Sequence, residues 1–209
     1  MSRNGSFRFL GLVFLALATS ARADVQYLNN RYFMVVFGYQ GAGNRAVDSH
    51  TFASFYEGQA LARYRTQRPA TISWLPATGY VRPVRREPGR NFSLEETLAI
   101  ARDRGYEVRA YGPFEITRNL YQRALDRIAY LESGRVDYRM TAAGFLMPDV
   151  LNCISALSGI GGLLNTGTLW GFSASQRVTQ HLAREVYHYP NIHYDVARVI
   201  ALDRMVAPN

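Results

Sequence analysis

The sequence predicts an α+β fold, an antiparallel sheet of about five strands with helices packed against one side or end. Three observations predict it. Short aromatic and β-branched runs dominate the first half of the chain, capped helical stripes are interspersed from residue 93 onward, and the last stretch reads as helix. We find no internal repeat and no low-complexity tract. The length suits one domain with a sizeable core.

The first 23 residues have the form of an export signal. "MSRNGSFR" is a basic head carrying Arg3 and Arg8, "FLGLVFLALA" is an apolar run shorter than a membrane span needs, and Ala21 and Ala23 form an A-x-A cleavage pattern. Cleavage after Ala23 would leave residues 24–209 as a single domain, periplasmic or secreted. "RYFMVVFGYQ" (31–40) is the first expected strand. "GAGNRAVDS" (41–49) is a loop, and "HTFASFY" (50–56) alternates as a second strand. After a polar connection, "ATISWLP" (70–76) is a third strand stopped by Pro76. Segment 77–92, with Pro83, Pro88 and the arginines Arg82, Arg85, Arg86 and Arg90, is an expected surface loop.

Ser93 opens a helix. In "SLEE" it can accept from the Glu96 amide while Glu96 reaches back to the Ser93 amide. That helix runs to about Arg104 and stops at Gly105. "YEVRAYGPFEI" (106–116) is a strand broken at Gly112-Pro113. Thr117 caps a second helix, whose Leu120, Ala124, Leu125, Ile128 and Leu131 make a buried stripe, and Gly134 stops it. "RVDYRMTA" is a fifth strand. A third helix starts within 149–153, capped by Asp149 or Asn152. A glycine-rich loop (159–171), a fourth helix over about 173–187 and a short helical tail (195–205) complete the pattern.

Charge and cysteine usage narrow the function. The 24 basic residues are all arginine, and without Arg3, Arg8 and Arg22 the net charge is about +5. Such an excess favours anionic surfaces such as a bacterial envelope. The arginines are scattered apart from "RPVRREPGR", and no nucleic-acid recognition motif accompanies them, so no nucleic-acid partner is expected. After residue 23 no stretch is apolar enough to span a membrane. Cys153 is the only cysteine. In an exported chain, one thiol pairs with another chain, is a small buried hydrophobe or is a working sulfur.

The working reading is specific. In the first turn of the third helix, Cys153 would face free backbone amides that favour a thiolate and can donate to an oxyanion. His50, opening a strand directly after a glycine-rich loop, is the best-placed base. On the neighbouring strand Thr71 and Ser73 face one way and can orient the ring, with Ser73 preferred. His181 and His188, seven residues apart, match no zinc spacing, so neither metal nor cofactor is expected. Trp170 is a candidate pocket wall. "YGPFEI" (111–116), with Tyr111 and Glu115, is more simply turn chemistry and packing.

A strand opening with His50, a following strand with a polar residue, and a later helix headed by "NC" together resemble the circularly permuted papain-like fold. This is the permuted branch of the NlpC-type cysteine peptidases, which includes lecithin retinol acyltransferase-like proteins. The resemblance covers the order of elements over about residues 30–165. It implies Cys153 as nucleophile, His50 as base and Ser73 in a third position where the family more often has a charged or amide-bearing residue. It further implies a cysteine-dependent amidase or peptidase, with cell-wall peptide as a possible substrate, or a thioesterase or acyltransferase using the same dyad. Against these stands a non-catalytic envelope protein that keeps Cys153 as core and binds an anionic partner through loop 82–90.

Overall fold

In the computed structural model, residues 31–58, 68–142, 148–162, 164, 169–185, 194–199 and 202–206 are described. The expected export segment, His188 and His193 lie outside them. The strands are β1 (Tyr32–Gln40), β2 (Ser49–Glu57), β3 (Ala70–Ile72), β4 (Trp74–Pro76), β5 (Glu87–Asn91), β6 (Glu107–Ile116), β7 (Asp137–Tyr138) and β8 (Val150–Leu151). The helices are α1 (Leu94–Asp103), α2 (Arg118–Leu131), α3 (Cys153–Ser158), α4 (Gly171–Leu182), α5 (Tyr194–Val199) and α6 (Leu202–Val206).

The mixed α+β class is as expected, but the strands form two sheets rather than one of about five. The first has the order β3-β2-β1-β6 and is antiparallel throughout. The second has the order β4-β5-β7-β8 and ends in a parallel pair. The expected third strand, 70–76, is divided between them, with Ser73 at the break. Asn91 fills that break. Its Oδ1 accepts from the Ser73 amide at 2.8 Å and its Nδ2 donates to the Thr71 carbonyl at 2.9 Å, replacing ladder bonds with side-chain ones.

Part of the expected surface loop 77–92 is strand. β5 contains Pro88 and Gly89, residues that read as a turn. The reason is packing. A Cβ on Gly89 would stand 1.9 Å from Trp74 Cζ2, so only a bare backbone lets the buried Trp74 ring lie against β5. The expected break in the sixth strand is likewise absent. β6 continues through Gly112-Pro113, and its pairing with β1 absorbs the irregularity as a shift between Met34 and Val36.

Helices cover both faces of the first sheet, not one. Alternation along β1 and β2 directs Phe33, Val35, Phe37, Phe52 and Tyr56 toward α1, α5 and α6. Met34, Val36, Ala53 and Phe55 point toward α2, α3, α4 and the second sheet. The caps are the expected ones. Ser93 and Glu96 make the reciprocal capping box of α1, and Thr117 accepts from the Leu120 amide at the start of α2. Of the proposed α2 stripe, Leu120, Ala124 and Leu131 are fully buried. Close approach of α4 to β1 requires Gly38, where a Cβ would lie 2.3 Å from Ser175 Oγ. Among the described residues, no helix is long and apolar enough to cross a membrane.

Candidate active site

Cys153 opens α3, and Asn152 caps it rather than Asp149. Asn152 Oδ1 accepts from the Ser155 amide at 2.8 Å, and Ser155 Oγ accepts from the Asn152 amide at 3.0 Å. The Asn152 Nδ2 protons go to the carbonyls of Met140 (3.1 Å) and Ala142 (3.2 Å), so every donor and acceptor of this amide group is used. At the other end, Arg127 from α2 donates to the carbonyls of Ser155 and Ala156, both at 2.9 Å. Two helix-end bonds and one cationic clamp hold a helix too short to persist alone.

The sulfur faces the unpaired edge of β2. Pairing with β3 covers only Ala53–Phe55, which leaves Ser49–Thr51 open on that side. The backbone N–H groups of Thr51, Ile154 and Cys153 itself donate toward the sulfur. These amides favour the thiolate, as expected, but burial outweighs them and the thiol is pushed up from its ordinary value. The expectation of a lowered thiol is therefore corrected. Burial makes the thiolate costly, and a six-residue helix adds too little field to reverse that.

His50 stands on the other face of the same strand end. Its ring stacks on Phe52 with centroids 5.4 Å apart and meets Tyr39 at 5.2 Å, and only 1% of the residue is exposed. Burial pushes its pKa down to about 3. Nε2 lies 2.9 Å from Ser73 Oγ. Of the two candidate hydroxyls, Ser73 is the one that meets the ring; Thr71 pairs instead with Ser54 at 3.0 Å.

A hydroxyl that sequence reading missed continues this chain. Thr97 Oγ1, on α1, lies 2.7 Å from Ser73 Oγ and 2.7 Å from the Ser93 carbonyl oxygen. Thr97 has one proton for these two contacts, and the carbonyl has none. Two oxygens 2.7 Å apart with no proton between them repel, so Thr97 donates to Ser93. Ser73 must then donate to Thr97, and the Nε2–H of His50 donates to Ser73. The relay thus fixes the tautomer: Nε2 carries the proton and Nδ1 is a bare lone pair. Nδ1 is buried and has no hydrogen-bond partner among the described residues, so no such bond joins it to Cys153. The only signal for Thr97 in the sequence was its position in the second turn of the capped helix, which nothing linked to residue 73.

His50 and Cys153 line one cavity of about 420 Å³, within the usual range of ligand pockets. Tyr138, Met140, Ile154 and Ala174 form much of its wall, and Trp170 stands at it 40% exposed, as the pocket-wall expectation requires. Trp170 Nε1 donates to the Asn44 carbonyl at 2.9 Å, which ties the wall to the loop before β2. The other singled-out residues lie elsewhere. Glu115 is held by Arg31, Tyr111 reaches the Phe172 carbonyl at 3.4 Å, and His181 meets the Gly162 carbonyl at 3.3 Å. Among the described residues, no three metal-ligating side chains converge. The arginines of loop 82–90 largely face acids of their own chain: Arg82 with Glu87, Arg86 with Asp137, Arg90 with Glu96. Searches against protein-family models, curated proteins and solved structures return no match.

Proposed function

We propose that this chain is an exported cysteine-dependent hydrolase of permuted papain-like architecture, acting on an amide or ester through an acyl-enzyme. The observation that carries the reading is the shared cavity. Cys153, whose sulfur sits among backbone amides that favour a thiolate, and the buried imidazole of His50, whose Nδ1 has no hydrogen-bond partner among the described residues, both line it. Cys153 is the nucleophile and His50 the base. Ser73 holds the ring by its far nitrogen, and Thr97 fixes the direction of that bond.

Both groups start neutral, so the proton moves during attack rather than before it. The sulfur bonds to the substrate carbonyl carbon as its proton passes to Nδ1, and the carbonyl π electrons become an oxyanion. The amides of Thr51 and Ile154 then donate to that oxyanion. Collapse breaks the bond to the leaving group, which takes the Nδ1 proton. Water then attacks the thioester with His50 as base, releases the acid and restores the thiol. An acyl acceptor other than water would turn the same steps into acyl transfer.

A second reading, a non-catalytic envelope protein that binds its ligand in this cavity, draws on the neutral thiol and the absence of a sulfur–imidazole bond. Hydrolysis of p-nitrophenyl butyrate by the chain from Asp24 onward, compared with Cys153→Ala, separates the two. The hydrolase reading expects at least about a 1,000-fold loss of kcat/KM and an acyl adduct on Cys153 by intact mass. Equal rates for the two proteins, with no adduct, would leave the binding reading.

A further inference from the structure

The cavity differs from the rest of the molecule in charge. Residues 140–176 contain a single Asp, Glu, Lys, Arg or His residue, Asp149, in a chain that is 19% charged. Asp149 is exposed and does not line the cavity; its carboxylate accepts from Tyr130 at 3.3 Å. None of the described lining residues is an acid or an arginine. Most of the lining polar side chains are committed to the protein. Ser49 donates to the Ala46 carbonyl at 3.0 Å, Thr51 pairs with Ser175 at 2.8 Å, and Asn152 and Trp170 are bonded as described above. The clear exceptions are Cys153, with its sulfur and nearby amides, and His50, whose buried Nδ1 has no hydrogen-bond partner among the described residues.

We infer that the cavity takes an uncharged, aliphatic acyl group. The thiol end is built for a carbonyl, and the wall beyond it is built for hydrocarbon. An ionised group placed there would lose its hydration and find no countercharge among the described lining side chains, which disfavours it strongly. The word acyl rests on the hydrolase reading. In that reading the acyl half stays on the sulfur between the two steps while the leaving group departs, so the acyl half must fit the cavity. The exclusion of charge rests only on the lining. It removes peptides that would place a free carboxylate or ammonium beside the scissile bond, and keeps neutral acyl esters, thioesters and amides.

Two probes of equal length test this, p-nitrophenyl hexanoate and the p-nitrophenyl half-ester of adipic acid, which differ by a terminal carboxylate. The expected ratio of kcat/KM is about 100-fold in favour of hexanoate. Thr141→Arg, at an exposed position on the wall, should raise the half-ester at least about fivefold and narrow that ratio. Binding to the Cys153→Ala protein is read independently of turnover, by displacing the neutral dye N-phenyl-1-naphthylamine with hexanamide or with adipic acid monoamide. Preference for hexanamide supports the inference even where neither ester is hydrolysed, an outcome that would sink only the hydrolase reading. Equal handling of the neutral and charged members, in turnover or in displacement, overturns the inference. Trp170→Ala, on the exposed wall, should weaken dye binding about tenfold, and unchanged dye binding would also count against it.

Discussion

The two faces of the first sheet treat their reactive groups in opposite ways. On the α1 face, His50 is gripped through Nε2 by a relay of hydroxyls ending on a helix carbonyl, and aromatic rings pack around it. On the α3 and α4 face, the Cys153 sulfur meets backbone amides at the edge of a cavity whose described lining carries no carboxylate or arginine. One group is oriented by side chains and the other by the fold itself. Both are neutral for the same reason: burial penalises the charged form of each, and neither has a charged neighbour among the described residues to offset that cost.

The largest expected effect breaks the α1 side at its reactive atom. His50→Gln keeps a donor for Ser73 but removes the base, and should lower kcat/KM by about 1,000-fold with little change in KM. Steady-state kinetics on an activated ester checks this. Next comes acid. His50 has a folded pKa of about 3 against about 6.5 unfolded, so between those values the unfolded chain binds the proton more readily. Stability therefore falls as pH drops through that window, by on the order of 3 kcal/mol at pH 4 relative to pH 7. Urea unfolding of wild type and His50→Gln at both pH values measures it, and the glutamine variant should lack that part of the slope. Cys153 has the reverse sign, since its raised folded value costs stability only as pH rises above the ordinary cysteine range.

Three smaller perturbations separate the two faces further. Gly38→Ala forces a Cβ into Ser175 and disturbs the α4 side alone, at about 1–3 kcal/mol by thermal unfolding. Ser73→Ala frees the ring to change tautomer and should cost about tenfold in kcat. Thr97→Val removes the acceptor that sets the direction of the Ser73 proton. It should cost only a few-fold, with the loss in kcat rather than KM. A Thr97→Ser variant, which restores the hydroxyl, should recover the loss.

Much of this arrangement was legible in local sequence. The capping box at Ser93, the strands β1 and β2 with the loop between them, and the stop at Gly105 depend on residues within a few positions of one another. The break at Ser73 and the strand character of β5 were not legible, because they depend on Asn91 and on Trp74 packing over Gly89 from a distant strand. The same limit applied to the site. Residue types named Cys153, His50 and Ser73 as neighbours in function, but the sign of the thiol's shift depends on how deeply the fold buries it. Thr97 entered only when α1 was laid against the sheet.

The imidazole of His50 offers the most direct measurement. In uniformly ¹⁵N-labelled protein at pH 7, its two ring nitrogens should report a neutral ring with the proton on Nε2 and a bare Nδ1, unchanged down to about pH 4. A proton on Nδ1, or an imidazolium at pH 7, would contradict the account of a neutral pair waiting for substrate.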